Sequence, residues 1–443
     1  MKIGRIRVDS QGLLVQNNLG QLRRIALKGN KLKEAQVNTK EFIEKNYKND
    51  NFFKDLFLPN KILSTRIECF PEDLGFMSRP IRIYYGVEPR CNLACKFCGP
   101  RDFHEKLEKG SNEKEDFLLK QFADAGSFQV QLTGGEIFLR GWKVLDLIKK
   151  TNELGLAVIL STNGIWDHIE NQEELLKEIN KIGNVIQTKI SIEGDEAFHD
   201  SVRGKGNYKK SVETLKLLSK YNLNPRISAT IFKGSCNKKQ LEHLVNLALQ
   251  TNAGLQTIPI RTAGMAKELS CEVPTKKQIE DYTKYATKLR KETGVKLSFN
   301  FDIFDGTTQI NIYDTQAPIS CGAPLMGFHV THTGECYACG FAQEIPQFLT
   351  GKIDSKNSYL KLWQNSQILN KFRKTKKSNK CRRCKSYGKG CWGGCWVMAW
   401  LSTGKINGLD PYCPKYGSDK LIAQACSKAK ETPSYCTKKF DSE

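Results

Sequence analysis

Six short β-rich runs, each followed by a stretch with helical spacing, constrain the fold of this chain more than any other feature. In the clearest helical stretch, Leu241, Leu244, Val245 and Ala248 form an i, i+3, i+4, i+7 stripe, which Leu249 widens. The alternation predicts parallel strands covered by helices. Six units are too few for a closed eight-stranded barrel, so we expect an α/β fold with an open, partial (β/α)6 barrel. The predicted strands cover residues 81–88, 128–135, 156–164, 186–194, 226–232 and 255–262.

Residue types that bind ligands or take part in catalysis lie at the ends of five of these strands. They are Cys91, Gly134, Asn163, Glu193 and Arg261. Parallel α/β folds place their chemistry at the carboxyl ends of the strands. The sequence therefore predicts one functional face for the barrel.

The flanking segments differ from the barrel in composition. Residues 1–78 contain three short strand candidates and then helix-like segments, which predicts a small N-terminal α+β module. The barrel is expected over residues 79–300. Residues 301–443 are rich in Cys, Gly and Trp with weak periodicity, as in a domain held by metal clusters.

Whether the sixteen cysteines form disulfides or bind metal depends on the cellular compartment that we expect for the protein. The N-terminal MKIGRIRVDSQG lacks the apolar stretch of a signal peptide, and no apolar run approaches the roughly 20 residues of a spanning helix. We therefore expect a cytoplasmic protein without a membrane partner. In a reducing compartment, clustered cysteines are metal ligands or redox groups rather than disulfides.

Three of these cysteines, Cys91, Cys95 and Cys98, leave the first barrel strand in one short loop. Three thiolates can hold three irons of a cubane 4Fe-4S cluster and leave the fourth iron open to a small chelating molecule. Structural zinc favours four N or S ligands, and this loop offers only His104 as an addition, which is interpreted as a surface residue.

The triad with Phe97 before its last cysteine resembles the signature of radical SAM enzymes. The resemblance implies that the open iron binds the amino and carboxylate groups of S-adenosylmethionine (SAM). The TGGE stretch ending in Gly134, Gly135 and Glu136 is similar to the family's GGE element, which holds the methionyl ammonium group. Two glycines permit close backbone approach, and a carboxylate accepts from a cation.

Two further stretches extend the resemblance along the barrel. STNG resembles the ribose-contacting site, with Ser161 and Asn163 as candidates. SIEGDEAFHDSVRG, which begins at Ser191, resembles the SIDG…HD…RG stretch of one branch, although Glu193 replaces the usual Asp. Arg203 is its candidate for the SAM carboxylate.

The C-terminal cysteines resemble the seven-cysteine SPASM arrangement. Two features depart from it: six residues follow Cys384 where five are commoner, and Cys336 is additional. By family pairing, Cys381, Cys384, Cys391 and Cys413 would hold an outer auxiliary cluster, and Cys321, Cys339 and Cys395 an inner one. Two candidates remain for the fourth ligand of the inner cluster, namely Cys336 and the substrate. Zinc is an alternative for the group from Cys381 to Cys395 taken alone.

The charge balance indicates an acidic partner or a solvated basic surface. Lys and Arg number 69 against 47 Asp and Glu, a formal charge of +22. Residues 361–390 hold eleven of these cations and no acidic residue, and they enclose Cys381 and Cys384. Basic residues are expected beside an anionic four-thiolate cluster.

The resemblance implies three 4Fe-4S clusters and a 5′-deoxyadenosyl radical that abstracts a hydrogen atom. It also implies a reduced flavodoxin- or ferredoxin-type electron donor, with auxiliary clusters that accept the substrate's electron. The expected function is oxidative modification of a ribosomally made peptide or protein, such as a cross-link or a thioether. Residues 1–78 would form a winged-helix module that binds an acidic leader.

The sequence also leaves two alternative functions. One is an oxidase or decarboxylase of a small-molecule precursor. The other is a zinc-ribbon nucleic-acid-binding protein, which the intact triad disfavours. The sequence identifies no general base.

Overall fold

A computed structural model of the chain describes most of the barrel and much of its flanks. The described residues are 5–9, 12–16, 22–50, 52–53, 66–70, 78–98, 111–262, 266, 268–269, 272–299, 308–309, 326–343, 345–385, 387, 393–413 and 415–431.

The strands form two sheets. The ten-stranded sheet has the order β11-β10-β9-β8-β7-β6-β5-β13-β14-β15, and the five-stranded sheet has the order β12-β3-β2-β1-β4. The strands are β1 (Arg5–Asp9), β2 (Gly12–Gln16), β3 (Leu22–Ala26), β4 (Arg66–Phe70), β5 (Arg82–Glu88), β6 (Gln129–Gly134), β7 (Ala157–Thr162), β8 (Val185–Ser191), β9 (Pro225–Ile231), β10 (Gly254–Pro259), β11 (Leu297–Phe299), β12 (Thr308–Gln309), β13 (His329–Thr331), β14 (Glu335–Tyr337) and β15 (Leu349–Lys352).

Helices follow most of the barrel strands. The helices are α1 (Gly29–Val37), α2 (Thr39–Tyr47), α3 (Asn112–Asp124), α4 (Val144–Glu153), α5 (Gln172–Ile182), α6 (Glu196–Arg203), α7 (Asn207–Lys220), α8 (Lys238–Gln250), α9 (Lys276–Thr293), α10 (Tyr359–Asn365), α11 (Gln367–Lys374), α12 (Asn379–Arg382), α13 (Trp396–Thr403) and α14 (Asp419–Glu431).

The six predicted barrel strands are confirmed as β5 to β10, and all neighbouring pairs among them are parallel. β11 adds a seventh parallel strand that the sequence did not predict. The predicted stripe is confirmed on α8, where Leu241, Leu244, Val245 and Ala248 are buried. Leu249 was predicted wrongly, because its side chain is 45% exposed. It lies beyond the edge of the stripe that packs on β9 and β10.

A hairpin from the C-terminal part closes onto the first barrel strand. β13 pairs in parallel with β5, and β14 and β15 continue the sheet in antiparallel fashion. Phe328 stacks near Tyr359 of α10 at 4.5 Å between ring centroids, and Tyr359 packs edge-on against Phe122 of α3 at 5.2 Å. The C-terminal segment therefore shares the apolar core of the barrel.

The three N-terminal strands predicted before residue 30 are present as an antiparallel sheet. The helix predicted over residues 39–49 is confirmed as α2, α1 was not predicted, and the helical segment predicted over residues 51–58 lies almost wholly outside the described residues. Two additional strands complete this sheet: β4 pairs in parallel with β1, and β12 pairs in parallel with β3. β12 comes from beyond residue 300, so the sheet joins distant parts of the chain.

Two buried arginines of β1 fasten this sheet to the amino-terminal ends of the barrel strands. Arg5 donates to the carbonyl oxygens of Ser127 and Gly155, and its guanidinium lies 4.6 Å from the centroid of the Phe128 ring. Arg7 donates to the carbonyl of Pro80 at 3.1 Å. Because charged hydrogen bonds are strong when water is excluded, these contacts hold the module opposite the functional face.

Within the described residues, no helix is long and apolar enough to cross a membrane.

We predict that Arg5→Ala loosens the N-terminal sheet. The substitution removes charged hydrogen bonds and leaves buried carbonyls unpaired, so the free energy of unfolding should fall by about 2 kcal/mol. Thermal unfolding and hydrogen exchange of the β1 and β2 amides would measure the change. Lys33→Ala on exposed α1 is the control. Equal exchange rates in the two variants would contradict the docking role.

Candidate cluster and cofactor site

The cysteine loop is tied by backbone hydrogen bonds to the GGE element on the neighbouring strand. Gly135 N–H donates to the Glu88 carbonyl at 2.7 Å, and Glu136 N–H donates to the Arg90 carbonyl at 2.8 Å. Gly134 has a φ of +132°, and a β-carbon there would lie 2.2 Å from the Glu88 carbonyl oxygen. The glycine is therefore required for the two strand ends to approach this closely.

Glu136 is fully buried and points toward β7. Its carboxylate accepts from the Phe138 N–H at 3.0 Å, the Thr162 hydroxyl at 2.8 Å and the Asn163 N–H at 2.6 Å. Burial raises its pKa to about 7. A carboxylate has about four acceptor positions, so at most about one remains for a ligand cation. The side chain acts mainly as a brace between the ends of β6 and β7.

Asn163 links the end of β7 to the first cysteine. Its Nδ2 donates to the Asn92 Oδ1 at 2.8 Å and lies 3.8 Å from the Cys91 Sγ. The Leu93 N–H also donates to this sulfur at 3.4 Å. Burial raises the pKa of Cys91 to about 11, so bound iron would be needed to hold it as a thiolate at neutral pH.

Arg203 contacts the second cysteine from the end of α6. Its Nη1 donates to the Cys95 Sγ at 3.7 Å, and its guanidinium lies 5.1 Å from the centroid of the Phe97 ring. Two other nitrogens, Nε and Nη2, contact Glu193 Oε1 at 2.7 and 2.6 Å. Since a guanidinium has five N–H groups, two remain that could reach a ligand carboxylate.

Glu193 is held in turn by its surroundings. Its second carboxylate oxygen accepts from the Thr230 N–H of β9. The Glu193 N–H donates to Nδ1 of His199 at 3.3 Å, and burial lowers the pKa of His199 to about 3, so the ring is a neutral acceptor. The departure from the family's usual Asp thus gives a longer carboxylate that spans from β8 to β9 and to Arg203.

The remaining predicted residues lie around the same strand ends. Phe97 packs edge-on against Phe232 at 4.9 Å between centroids. Ser161 accepts from Gln131 Nε2 at 2.9 Å. Ser191 ends β8 in register with Ser228 of β9 and is half-buried. Ser161 and Ser191 therefore lie at the carboxyl ends of the barrel strands β7 and β8.

The donor set fits an iron-sulfur cluster better than a single metal ion. Among the described residues, no three His, Cys, Asp or Glu side chains converge on one ion position. In a cubane each thiolate binds a different iron, so convergence on one point is not required. Cys91 and Cys95 each have a hydrogen-bond donor near sulfur, which is the environment that tunes such clusters.

The described residues include Cys381, Cys384, Cys395 and Cys413, which are predicted as ligands of the outer or inner cluster. Cys384 N–H donates to the Cys381 carbonyl at 2.9 Å, as in a tight ligand turn. Burial raises the pKa of Cys413, and the nearby Cys381 adds to the effect. Cys395 is buried, and its N–H donates to Asp410 Oδ2 at 2.8 Å. Cys321 and Cys391 lie outside the described residues.

Arg261 joins the end of β10 to this region. Its guanidinium lies 5.3 Å from the centroid of the Tyr412 ring, and the Tyr412 hydroxyl donates to the Ile260 carbonyl at 2.7 Å. Tyr412 precedes Cys413, so the barrel face and the C-terminal cysteines are held together.

Cys336 is placed in the apolar core. Its thiol donates to the Gly334 carbonyl at 3.4 Å, and the side chain is fully buried. Burial raises its pKa well above the usual range. Cys236 and Cys426, which lack ligand-like spacing in the sequence, are also buried.

Sequence reasoning missed a carboxylate beside the triad. Glu88 ends β5 and is paired with Arg90 at 2.8 Å and with Arg140 at 3.5 Å, while Arg140 also binds Glu115 at 2.6 Å. The two arginines lower the pKa of Glu88 against the effect of burial. A charged residue at the end of a buried strand was the available signal.

We predict that Arg203→Gln lowers the midpoint potential of the triad cluster, because a cationic donor near Cys95 stabilises the reduced, more negative state. SAM binding should weaken about 10- to 100-fold, the value of one or two charged hydrogen bonds. Arg203→Lys should restore the charge but not the two-pronged contact with Glu193.

Potentiometric titration followed by electron paramagnetic resonance (EPR), together with equilibrium SAM binding, would measure both effects. Lys205→Gln on the exposed turn after α6 is the matched control. An unchanged midpoint potential of the triad cluster in Arg203→Gln would show that Arg203 does not tune this cluster.

Two family models match the chain in the order of its motifs. The radical SAM superfamily model matches residues 87–248. The model of the iron-sulfur cluster-binding domain SPASM matches residues 321–385.

Similar proteins cover most of the chain. The PqqA peptide cyclase of Bradyrhizobium diazoefficiens is 25% identical over 342 residues, which cover 75% of this chain and 86% of the cyclase. The mycofactocin maturase MftC of Mycolicibacterium smegmatis is 26% identical over 350 residues, which cover 76% of this chain and 83% of MftC.

The fold is also found in a solved structure. Streptococcus suis SuiB bound to the precursor peptide SuiA matches 93% of this chain and 98% of SuiB, with a TM-score of 0.66 and 15% identity. At this identity the match establishes the fold alone. Both domain models match, and the cysteine, glycine and arginine motifs lie together on one barrel face, so the chain carries a radical SAM domain followed by a SPASM iron-sulfur domain.

Proposed function

We propose that this enzyme oxidatively modifies a ribosomally made peptide, by a cross-link, a thioether or a similar bond. The observation that carries the proposal is similarity to the PqqA peptide cyclase over 75% of the chain. The SuiB fold, solved with a precursor peptide, covers 93% of the chain and thus includes the N-terminal part.

The residues on the functional face would bind and orient the reactants. Asn163 and Arg203 would position the triad and the SAM carboxylate, and Gly134 and Gly135 would let the backbone approach the amino group. When bound, the cluster and SAM supply the one-electron chemistry that removes a hydrogen atom from an unactivated carbon. Two auxiliary clusters, for three in total, would accept the electron that the substrate loses.

The N-terminal sheet would bind the leader of the precursor. Among the described strands of this sheet, β12 and β4 are the outermost, and an outermost strand can accept a peptide by strand addition. Lys28, Lys31 and Lys33 lie exposed just after β3, which suits an acidic leader.

The electron donor would dock beside the outer cluster. We define the basic surface as seven exposed residues, none of which forms an ion pair within the described part of the chain. They are Lys371, Lys374, Lys376, Lys380, Arg382, Arg383 and Lys385. They surround Cys381 and Cys384, so an acidic carrier such as reduced flavodoxin or ferredoxin would be guided to the site where electrons can enter.

We predict that the iron-loaded enzyme, given SAM and dithionite without oxygen, removes two hydrogen atoms from a small precursor peptide encoded beside its gene. Tandem mass spectrometry would detect the mass loss and the modified residues. Cys98→Ala should abolish it, because the triad would lose one iron ligand. Formation of 5′-deoxyadenosine with no mass change in any neighbouring precursor would instead favour a small-molecule substrate.

We also predict that the triple variant Lys380→Glu, Arg382→Glu, Arg383→Glu raises KM for flavodoxin about tenfold at low salt, because attraction becomes repulsion. Turnover driven by dithionite should be unchanged. The control reverses three exposed lysines on barrel helices, Lys149, Lys216 and Lys284. Equal effects of the two triple variants would argue against docking at the basic surface.

A further inference from the structure

The hairpin β13-β14 determines which side chains of the C-terminal domain face the barrel interior. His329 is in register with Tyr337 across the hairpin, and Val330 is in register with Cys336. Val330 and Cys336 belong to the apolar core. Because side chains alternate along a strand, His329 and Tyr337 share the opposite face.

Cys339 continues on the face of His329. It lies two residues beyond Tyr337, and its backbone is extended, with φ −156° and ψ 151°. A β-carbon placed on the next residue, Gly340, would lie 3.5 Å from Nδ1 of His329. The imidazole therefore reaches along the sheet toward the segment that carries Cys339.

Cys336 is poorly placed to complete a cluster with Cys339. Its thiol points to the core face, donates to the Gly334 carbonyl at 3.4 Å and lies beside Lys114 and Tyr359. Bringing it to the interior face would require a one-residue shift of β14 in register.

The position before His329 on the same face carries no side chain. A β-carbon at Gly327 would lie 1.5 Å from the Arg82 carbonyl oxygen, so glycine is required where β13 meets β5. His329 is therefore the first interior-facing side chain described on this segment.

The His329 ring is buried and packs against a glycine of β5. It is 6% exposed, and a β-carbon at Gly86 would lie only 3.2 Å from its Nε2, so the missing side chain at Gly86 is what leaves room for the ring. Neither ring nitrogen has a hydrogen-bond partner among the residues that the structure describes. Burial lowers its pKa to about 4, so the ring is neutral near pH 7 and one nitrogen lone pair is available. A buried imidazole whose nitrogens make no hydrogen bond is energetically unfavourable unless one nitrogen binds a ligand.

The segments of Cys339 and Cys395 are neighbours. The Ala338 N–H donates to the Phe348 carbonyl at 3.5 Å, and the Phe348 ring packs against Trp396 at 5.0 Å between centroids. Trp396 directly follows Cys395. Two cysteines of the proposed inner cluster thus lie on segments that meet around Phe348.

We propose that His329 is the protein ligand that the inner auxiliary cluster needs besides its cysteines, of which Cys339 and Cys395 lie in the described part of the chain. The inference rests on the proposed inner cluster. It closes that cluster to substrate, so the cluster would act as an electron acceptor and not as a substrate-binding site. A neutral imidazole in place of a thiolate makes a cluster less anionic, which raises its reduction potential, as in clusters of mixed His and Cys ligation.

Pulsed EPR of the reduced auxiliary clusters tests the proposal directly. The full-length, iron-loaded enzyme would carry Cys91→Ala, Cys95→Ala and Cys98→Ala, so that signals come from the auxiliary clusters only. We expect a strongly coupled nitrogen whose splitting changes when the protein is labelled with 15N-histidine. His329→Ala should abolish this coupling, and His243→Ala on the outer helix α8 should retain it.

His329→Cys supplies an independent measurement. It should retain the iron content of the parent and lower the midpoint potential of one auxiliary cluster, because a thiolate replaces a neutral ligand. The isotope experiment on the parent decides the matter even if a His329 variant fails to fold.

Absence of the histidine coupling, or its persistence in His329→Ala, would overturn the ligand assignment. A non-protein nitrogen coupling that appears only with added precursor would assign the position to substrate and would also overturn it. Iron content and precursor modification are measured separately in the enzyme with its triad intact, so failure of the proposed function remains distinguishable.

Discussion

The buried ion pair between Glu193 and Arg203 organises the functional face. Two nitrogens of the Arg203 guanidinium contact one carboxylate oxygen of Glu193, at 2.6 and 2.7 Å. The third nitrogen donates to the Cys95 sulfur. A buried pair of charges is expensive to desolvate unless further hydrogen bonds complete it. Here the Thr230 N–H donates to the second carboxylate oxygen of Glu193, and the Arg203 guanidinium lies over the Phe97 ring. The pair thereby connects β8, β9, α6 and the cysteine loop in one arrangement.

Around this pair, each strand end is braced to its neighbour by a short polar contact. Glu136 joins β6 to β7, Asn163 joins β7 to the cysteine loop, and Glu88 joins β5 to Arg140. These groups are buried and paired within the protein, so they are positioned before any ligand arrives. Preorganised groups of this kind do not have to reorient when a charged cofactor binds. These contacts hold the loop of three cysteines against the ends of β5, β6 and β7.

The C-terminal domain is joined to the barrel through packing and not through a linker alone. The β13-β14 hairpin extends the barrel sheet, and the Arg261–Tyr412 contact ties the end of β10 to Cys413. Cys413, next to Tyr412, is thus held close to the carboxyl end of β10. The residues of the basic surface are exposed and lie close in sequence to Cys381 and Cys384.

The sequence alone determined the barrel strands, the triad and the order of the two cysteine groups, because hydrophobic alternation and ligand spacing are local properties of the chain. It misjudged Leu249, whose exposure depends on how wide a stripe the neighbouring strands can cover. It also left the fourth position of the inner cluster open between Cys336 and substrate, since the spacing of cysteines does not show which way a thiol points. Only the tertiary structure decided that Cys336 faces the core and that His329 shares the face of Cys339, because strand register assigns alternate residues to opposite sides of a sheet.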